Sequence, residues 1–221
     1  MQHRWGMRIA RGVLYSAAAM ASLTVQAQWS PTRPVRLVVP YPPGGANDIV
    51  GRLLAQKMME QLGQNVVVDN RGGGNTIIGS ELVAKAPPDG HTLLIVAAGH
   101  AINPSLYPKL PYDTLKDFAP VALFGDGAYV LVTHPSTGVN SVKELVQLAK
   151  AKQGQLPYAS SSIGNLTHLA AELFASLGGV KMLHVPFKGG GAAMTDLLGA
   201  RVAIFFSTVA VARPHIQSGK V

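Results

Sequence analysis

Between residues 36 and 97 short apolar runs alternate with stretches whose apolar residues recur at helical spacing, and this alternation constrains the fold more than any other feature. Residues 36–40 form an apolar run that Tyr41-Pro42-Pro43-Gly44-Gly45 stops. Residues 48–62 then place Ile49, Leu53, Leu54, Met58, Met59 and Leu62 on one helical face, and Gly63 ends the pattern. A strand over 66–68, a helix over 77–85 and a strand over 92–97, preceded by Asp89-Gly90, complete the series. Strand, helix, strand, helix, strand is the pattern of a parallel sheet with helices packed on its faces, an α/β unit.

The β-rich run 121–132, interrupted by Gly125-Asp126-Gly127, leads to a helix over 141–152 with Ser141 as cap and Glu144 completing a capping box. A second α/β unit follows: strand 156–159, polar turn 160–164, helix 167–177, strand 180–185, helix 194–198 and strand 202–206. No flexible Ser/Gly linker separates the units, so the expectation is two α/β domains, 28–125 and 126–221, joined by an ordered crossover near 121–132. Such a pair encloses a ligand cleft at the C-terminal ends of its strands.

Residues 1–27 read as a cleavable signal peptide. Arg4, Arg8 and Arg11 precede an uncharged run over 12–25 that is too short to span a bilayer, and Ala27 is a small residue suited to cleavage. The expected destination is the periplasm, with a soluble mature chain. Its removal lowers the formal net charge from +8 to +5. The remaining Lys and Arg are scattered among acidic residues without an Arg-rich arm, which argues against nucleic acid as a partner and suits small anionic solutes. The absence of Cys excludes disulfides, thiolate nucleophiles and Cys-ligated metals.

Two loops carry the candidate chemistry. In the first, Tyr41, Pro43, Gly44, Gly45 and Ala46 lie between a strand and a helix, where a stiffened, glycine-bearing turn aims backbone N–H groups at an anion. Asn47 or Asp48 is placed to cap that helix. The loop lacks GxxxxGK[ST] and GxGxxG, so neither a nucleotide triphosphate nor a dinucleotide cofactor is indicated. In the second, Ser160, Ser162, Gly164, Asn165 and His168 offer hydroxyls, an amide and backbone donors before another helix. Ser160 with His168 raises the alternative of an exported α/β hydrolytic enzyme, but there is no GxSxG elbow. The stretch 97–104, with Ala98 and Asn103, reads as a loop that lines the same cleft, and Lys188 is either a cleft cation or a solvated side chain. Residues 70–74 read as a turn. His100, His168 and His184 are too far apart in sequence for a metal site.

The segments RPVRLVVPYPPGGANDIVGRLLA, GQNVVVDNRGGGNTIIGSELVAKAPPDGHTLL, INPSLYPKLPYDTLKDFAPVALF, LPYASSSIGNLTHLAAELF and HVPFKGGGAAMTDLLGARV resemble, in order, the tripartite tricarboxylate transporter receptors, also called Bug proteins. The resemblance implies a type II periplasmic-binding-protein fold whose two domains close on a small organic carboxylate, which membrane permease subunits of a tripartite transporter then receive. It implies that the loops around Tyr41 to Asp48 and Ser160 to His168 grip a carboxylate, that the residues after Ala97 complete the wall, and that no catalytic residue is needed. The chain departs from the family's usual residues at Ser162, Asn165 and Ser207, where Gly, a small hydroxyl residue and Asp are common. Gly219-Lys220-Val221 resembles the entry to a returning strand, so the resemblance also implies a further C-terminal segment that completes the second domain.

Overall fold

Val35, Leu37 and Val39 are almost wholly buried, and they belong to a run of β-branched and aliphatic residues that reads as a strand covered on both faces. In the computed structural model, which describes residues 29–221, this run is β1 (Val35–Val39), the centre of a three-stranded parallel sheet. It pairs with β2 (Val66–Asn70) on one side and β3 (Thr92–Leu94) on the other. Helix α1 (Ala46–Leu62) covers one face, bringing Ala55, Val50, Leu54 and Met58 against Val35, Leu37, Val39 and Ile95. Burial of each large aliphatic side chain there stabilises the lobe by roughly 1.5–3 kcal/mol. Helix α2 (Ile77–Ala84) follows β2, and its Gly79 passes so close to Pro40 that a Cβ would stand 2.6 Å from the proline Cβ. The signal-peptide reading of residues 1–27 lies outside the described residues.

The second sheet has the order β4-β7-β5-β6, formed by β4 (Tyr129–Thr133), β5 (Pro157–Ser160), β6 (Leu183–Pro186) and β7 (Ile204–Thr208). β5, β6 and β7 run parallel, and β4 runs antiparallel to β7. Helices α4 (Val142–Ala151) and α5 (Leu166–Gly178) bury Leu145, Ala149 and Ala171 on one face with Tyr158 and Ile204. On the other face, α6 (Gly190–Leu198) and α7 (Val209–Gln217) bury Met194, Leu197, Val211 and Ala212 with Ala159 and Phe205. The Ser141–Glu144 capping box forms: Ser141 Oγ accepts the Glu144 N–H, and Glu144 Oε2 accepts the Asn140 N–H.

Three expectations are corrected. The stretch after β3 is not a loop but helix α3 (Ala98–Leu106), which carries Pro104 in its last turn at the loss of one backbone hydrogen bond. Helix α7, which carries Pro214 near its end, is an element the periodicity did not reveal. Of the run 121–132, only 129–132 becomes strand, as part of β4, because β7 supplies its ladder there. Residues 121–128 pair with no strand among the described residues, and Val121 and Leu123 are exposed. Among the described residues no helix is long and apolar enough to cross a membrane.

Candidate functional site

β1 ends in a turn whose geometry is set by Gly44, at φ +81°, a left-handed conformation that side chains rarely adopt. Helix α1 is capped by Gly45 without a side-chain cap, which replaces the expected cap at Asn47 or Asp48. Asp48 instead reaches back from the first helical turn: its carboxylate accepts the Gly44 N–H at 2.9 Å, Arg52 Nε at 3.1 Å and Asn70 Nδ2 at 2.9 Å. Burial opposes its ionisation, but the hydrogen bonds from Arg52, Gly44 and Asn70 outweigh it and hold the carboxyl below its ordinary value. With the turn locked in this way, the N–H groups of Gly45, Ala46 and Asn47 remain without a hydrogen-bond partner among the described residues.

The second lobe repeats the arrangement. Asn165 caps α5 by accepting the Thr167 N–H through Oδ1, and Thr167 Oγ1 accepts the Ser161 N–H. His168 Nδ1 accepts the Gly164 N–H at 3.1 Å. These bonds shape the turn and leave the Leu166 N–H unpaired. Helices α3 and α6 likewise begin with N–H groups, at Ala98, Gly99 and Gly190, that have no partner among the described residues.

All four helix starts meet at one cavity of about 480 Å³, lined by residues of both lobes. Each N-terminus carries roughly half a positive elementary charge. Lys188, exposed at the wall, is the one charged lining residue, and no Asp or Glu lines the cavity among the described residues. The walls are otherwise largely apolar and aromatic, with Tyr41, Tyr129, Phe187 and Phe205. Burial pushes the Tyr41 phenol up to about 12, against a smaller opposing influence from the Ala97 backbone, so it stays neutral. The site is therefore positive in potential but poor in formal charge, which suits an anion held by backbone donors.

Among the residues singled out from sequence, Tyr41, Pro43, Gly45, Ala46, Ala98, Ser162, Asn165 and Ser207 line this cavity. Gly44, Asp48, Asn103, Ser160, Gly164 and His168 stand behind the lining and shape it. Ser162, Asn165 and Ser207, the three departures from the family's usual residues, are all at the wall. Sequence reasoning missed Asn75, Tyr129 and Thr208. Asn75 directly follows the glycine run read as a turn, and its αL backbone gives no signal in a single sequence.

Ser160 is fully buried and does not line the cavity. Its hydroxyl sits 2.6 Å from His184 Nε2, not against His168, and 3.2 Å from the Ser162 carbonyl. His168 and His184, distant in sequence, stack on one another, because β5 and β6 are neighbours and α5 packs above them. Their rings lie face to face, so the nitrogens do not converge on a common point. Among the described residues no group of His, Cys, Asp and Glu is arranged to hold a metal ion.

Residues 50–221 match the model of the tripartite tricarboxylate transporter family receptor. A UPF0065 protein from the tcbD-tcbE intergenic region of Pseudomonas sp. strain P51 is 39% identical over 97% of this chain and 64% of its own length. The Rhodopseudomonas palustris protein Rpa4515, solved with adipate, superposes with a TM-score of 0.84 at 36% identity over 87% of this chain and 64% of that one. MatC of the same organism, solved with bound malate, gives 0.80 at 31% identity, over 86% and 65%. The chain thus spans less than two thirds of the length of each of these proteins.

Proposed function

Because this chain belongs to the tripartite tricarboxylate transporter receptor family, we propose that it acts in an exported solute receptor, binding a small organic carboxylate in the interlobe cavity for delivery to membrane permease subunits. The observation that carries the reading is the convergence of four helix N-termini on a cavity with no acidic lining residue among those described. A carboxylate accepts several N–H bonds at once and gains from the aligned dipoles without requiring a formal counter-charge. The aromatic walls accommodate its carbon chain, and relatives hold adipate and malate. The ligand leaves unchanged, since Ser160 is sealed behind the lining and its histidine lacks an orienting carboxylate. Export removes residues 1–27, giving a periplasmic mature chain that begins at Gln28 by intact mass.

Isothermal titration of the mature chain with a panel of mono-, di- and tricarboxylates tests the reading. Saturable binding of at least one acid, with the acid recovered intact, is the expected result. Turnover of a bound acid, or no binding across the panel, overturns it.

A further inference from the structure

Lys188 stands between two anchored residues. Phe187, before it, donates its N–H to the Ser160 carbonyl at 2.9 Å, and Gly189, after it, donates to the Ser161 carbonyl at 2.8 Å. These bonds pin the backbone at 188 beside the end of β5, next to the close approach of Gly189 to Pro42 of the opposite lobe. Lys188 lines the cavity and is exposed, and its ammonium has no hydrogen-bond or ion-pair partner among the described residues.

A lone surface lysine is ordinarily a solvated one, and three features separate Lys188 from that case. The cavity it borders has no Asp or Glu among the described lining residues and gathers four helix N-termini, so the cation adds to a positive field instead of balancing a negative one. An anion from solution completes such a site. The unpartnered N–H groups at the helix starts outnumber the roughly four acceptor sites of one carboxylate, so a first carboxylate does not need the ammonium as well. The cavity, at about 480 Å³, has room for a carbon chain that carries a second anionic group away from the first.

We infer that Lys188 is a specificity-determining residue of this site: its ammonium pairs with a second anionic group of the ligand and selects dianionic acids over monoanionic ones. This rests on the carboxylate-receptor reading and assigns the charge its ligand carries. The flexible four-carbon stem, unlike the fixed backbone donors, follows ligands of different length, so the selection acts on charge more than on chain length. The charge-assisted bond strengthens binding of a dianion about tenfold.

The test is titration of the mature chain, and of Lys188→Met, with succinate, glutarate and adipate, each beside its monomethyl ester. The ester keeps the carbon chain and both oxygens of the distal group but removes its charge. In the parent, at least one di-acid is expected to bind about tenfold more tightly than its ester. In Lys188→Met, which keeps an unbranched stem, that preference should shrink to about twofold while the ester binds within about twofold of its value in the parent and cooperative unfolding stays intact. A preference unchanged by Lys188→Met, an equal loss for di-acid and ester, or no preference within any pair overturns the role of Lys188 alone. Failure of every acid and ester to bind the parent overturns the carboxylate reading and the role of Lys188 with it.

Discussion

His168 and His184 stack with ring centroids 4.1 Å apart, and each secures a different part of one turn: His168 accepts the Gly164 N–H, and His184 contacts Ser160 Oγ. Tyr158 extends the stack behind His184 and bonds Glu172, which also lies 3.8 Å from His168 Nε2. The turn that offers donors to the cavity therefore rests on two imidazoles that cannot both be charged without repulsion.

Acidification is expected to weaken both fold and binding. Burial, then the neighbouring His168, push His184 below its ordinary value, with Glu172 opposing. The unfolded chain takes up this proton first as pH falls, so the stability due to neutral His184 is present above the ordinary histidine value and lost as pH drops through the depressed one. Unfolding free energies should fall as pH drops through and below the ordinary histidine range, and His184→Asn should flatten that dependence. A slope identical in the variant would exclude this pair as its source.

Asp48→Ala should lower stability by roughly 2 kcal/mol, since it strips the Gly44 N–H, Arg52 and Asn70 of a common buried acceptor. Carboxylate affinity should fall as well, because the turn that presents Gly45 and Ala46 loses its brace. Asp48 is favoured in its charged form when folded, so its contribution is present above the ordinary carboxylate range and disappears as pH falls through the lowered value. Urea unfolding of the variant beside the parent chain measures the first effect, and titration with an acid the parent binds measures the second.

Local chemistry made much of this fold legible. The strand-turn-helix unit around Tyr41 and the Ser141–Glu144 box are written within a few residues of one another, and periodicity finds them. Pro104 and Pro214 hid two helices, because a proline near a helix end removes one hydrogen bond without ending the helix. Residues 121–128 carry strand-forming side chains, but a ladder needs a partner that no local pattern records. The same holds within the site. Asn75 and Asn103 are 28 positions apart and His184 and Ser160 are 24, so only the packed lobes reveal that these polar groups share bonds.

Two substitutions at Gly45 separate the amide from the space around it. The residue has φ −83°, which alanine and proline both tolerate, and a Cβ there would make an ordinary 3.8 Å contact with the Pro42 carbonyl. Gly45→Ala should therefore bind carboxylates within about twofold of the parent. Gly45→Pro deletes an N–H that lines the cavity and also pushes Gly44 away from its left-handed conformation, so binding should weaken about tenfold or more. Equal affinities for the two variants would show that the Gly45 N–H holds no ligand.

Gly189 is the seam between the lobes. Its φ of +117° and ψ of 159° belong to a region open essentially to glycine alone, and a Cβ there would stand 3.3 Å from Pro42 Cγ in the opposite lobe. Its N–H donates to the Ser161 carbonyl at 2.8 Å, tying the start of α6 to the second-lobe turn, and the next residue offers one of the unpaired amides that line the cavity. Gly189→Ala strains the backbone and pushes against Pro42 at once, so it should lower stability by roughly 1–3 kcal/mol. Binding should weaken through a faster off-rate, since the variant resists the approach of the lobes more than first contact with ligand. Chemical denaturation and surface-immobilised kinetics with an acid the parent binds would measure the two effects. An alanine variant of unchanged stability and off-rate would mean that neither the glycine-only backbone nor the Pro42 contact holds the cavity in shape.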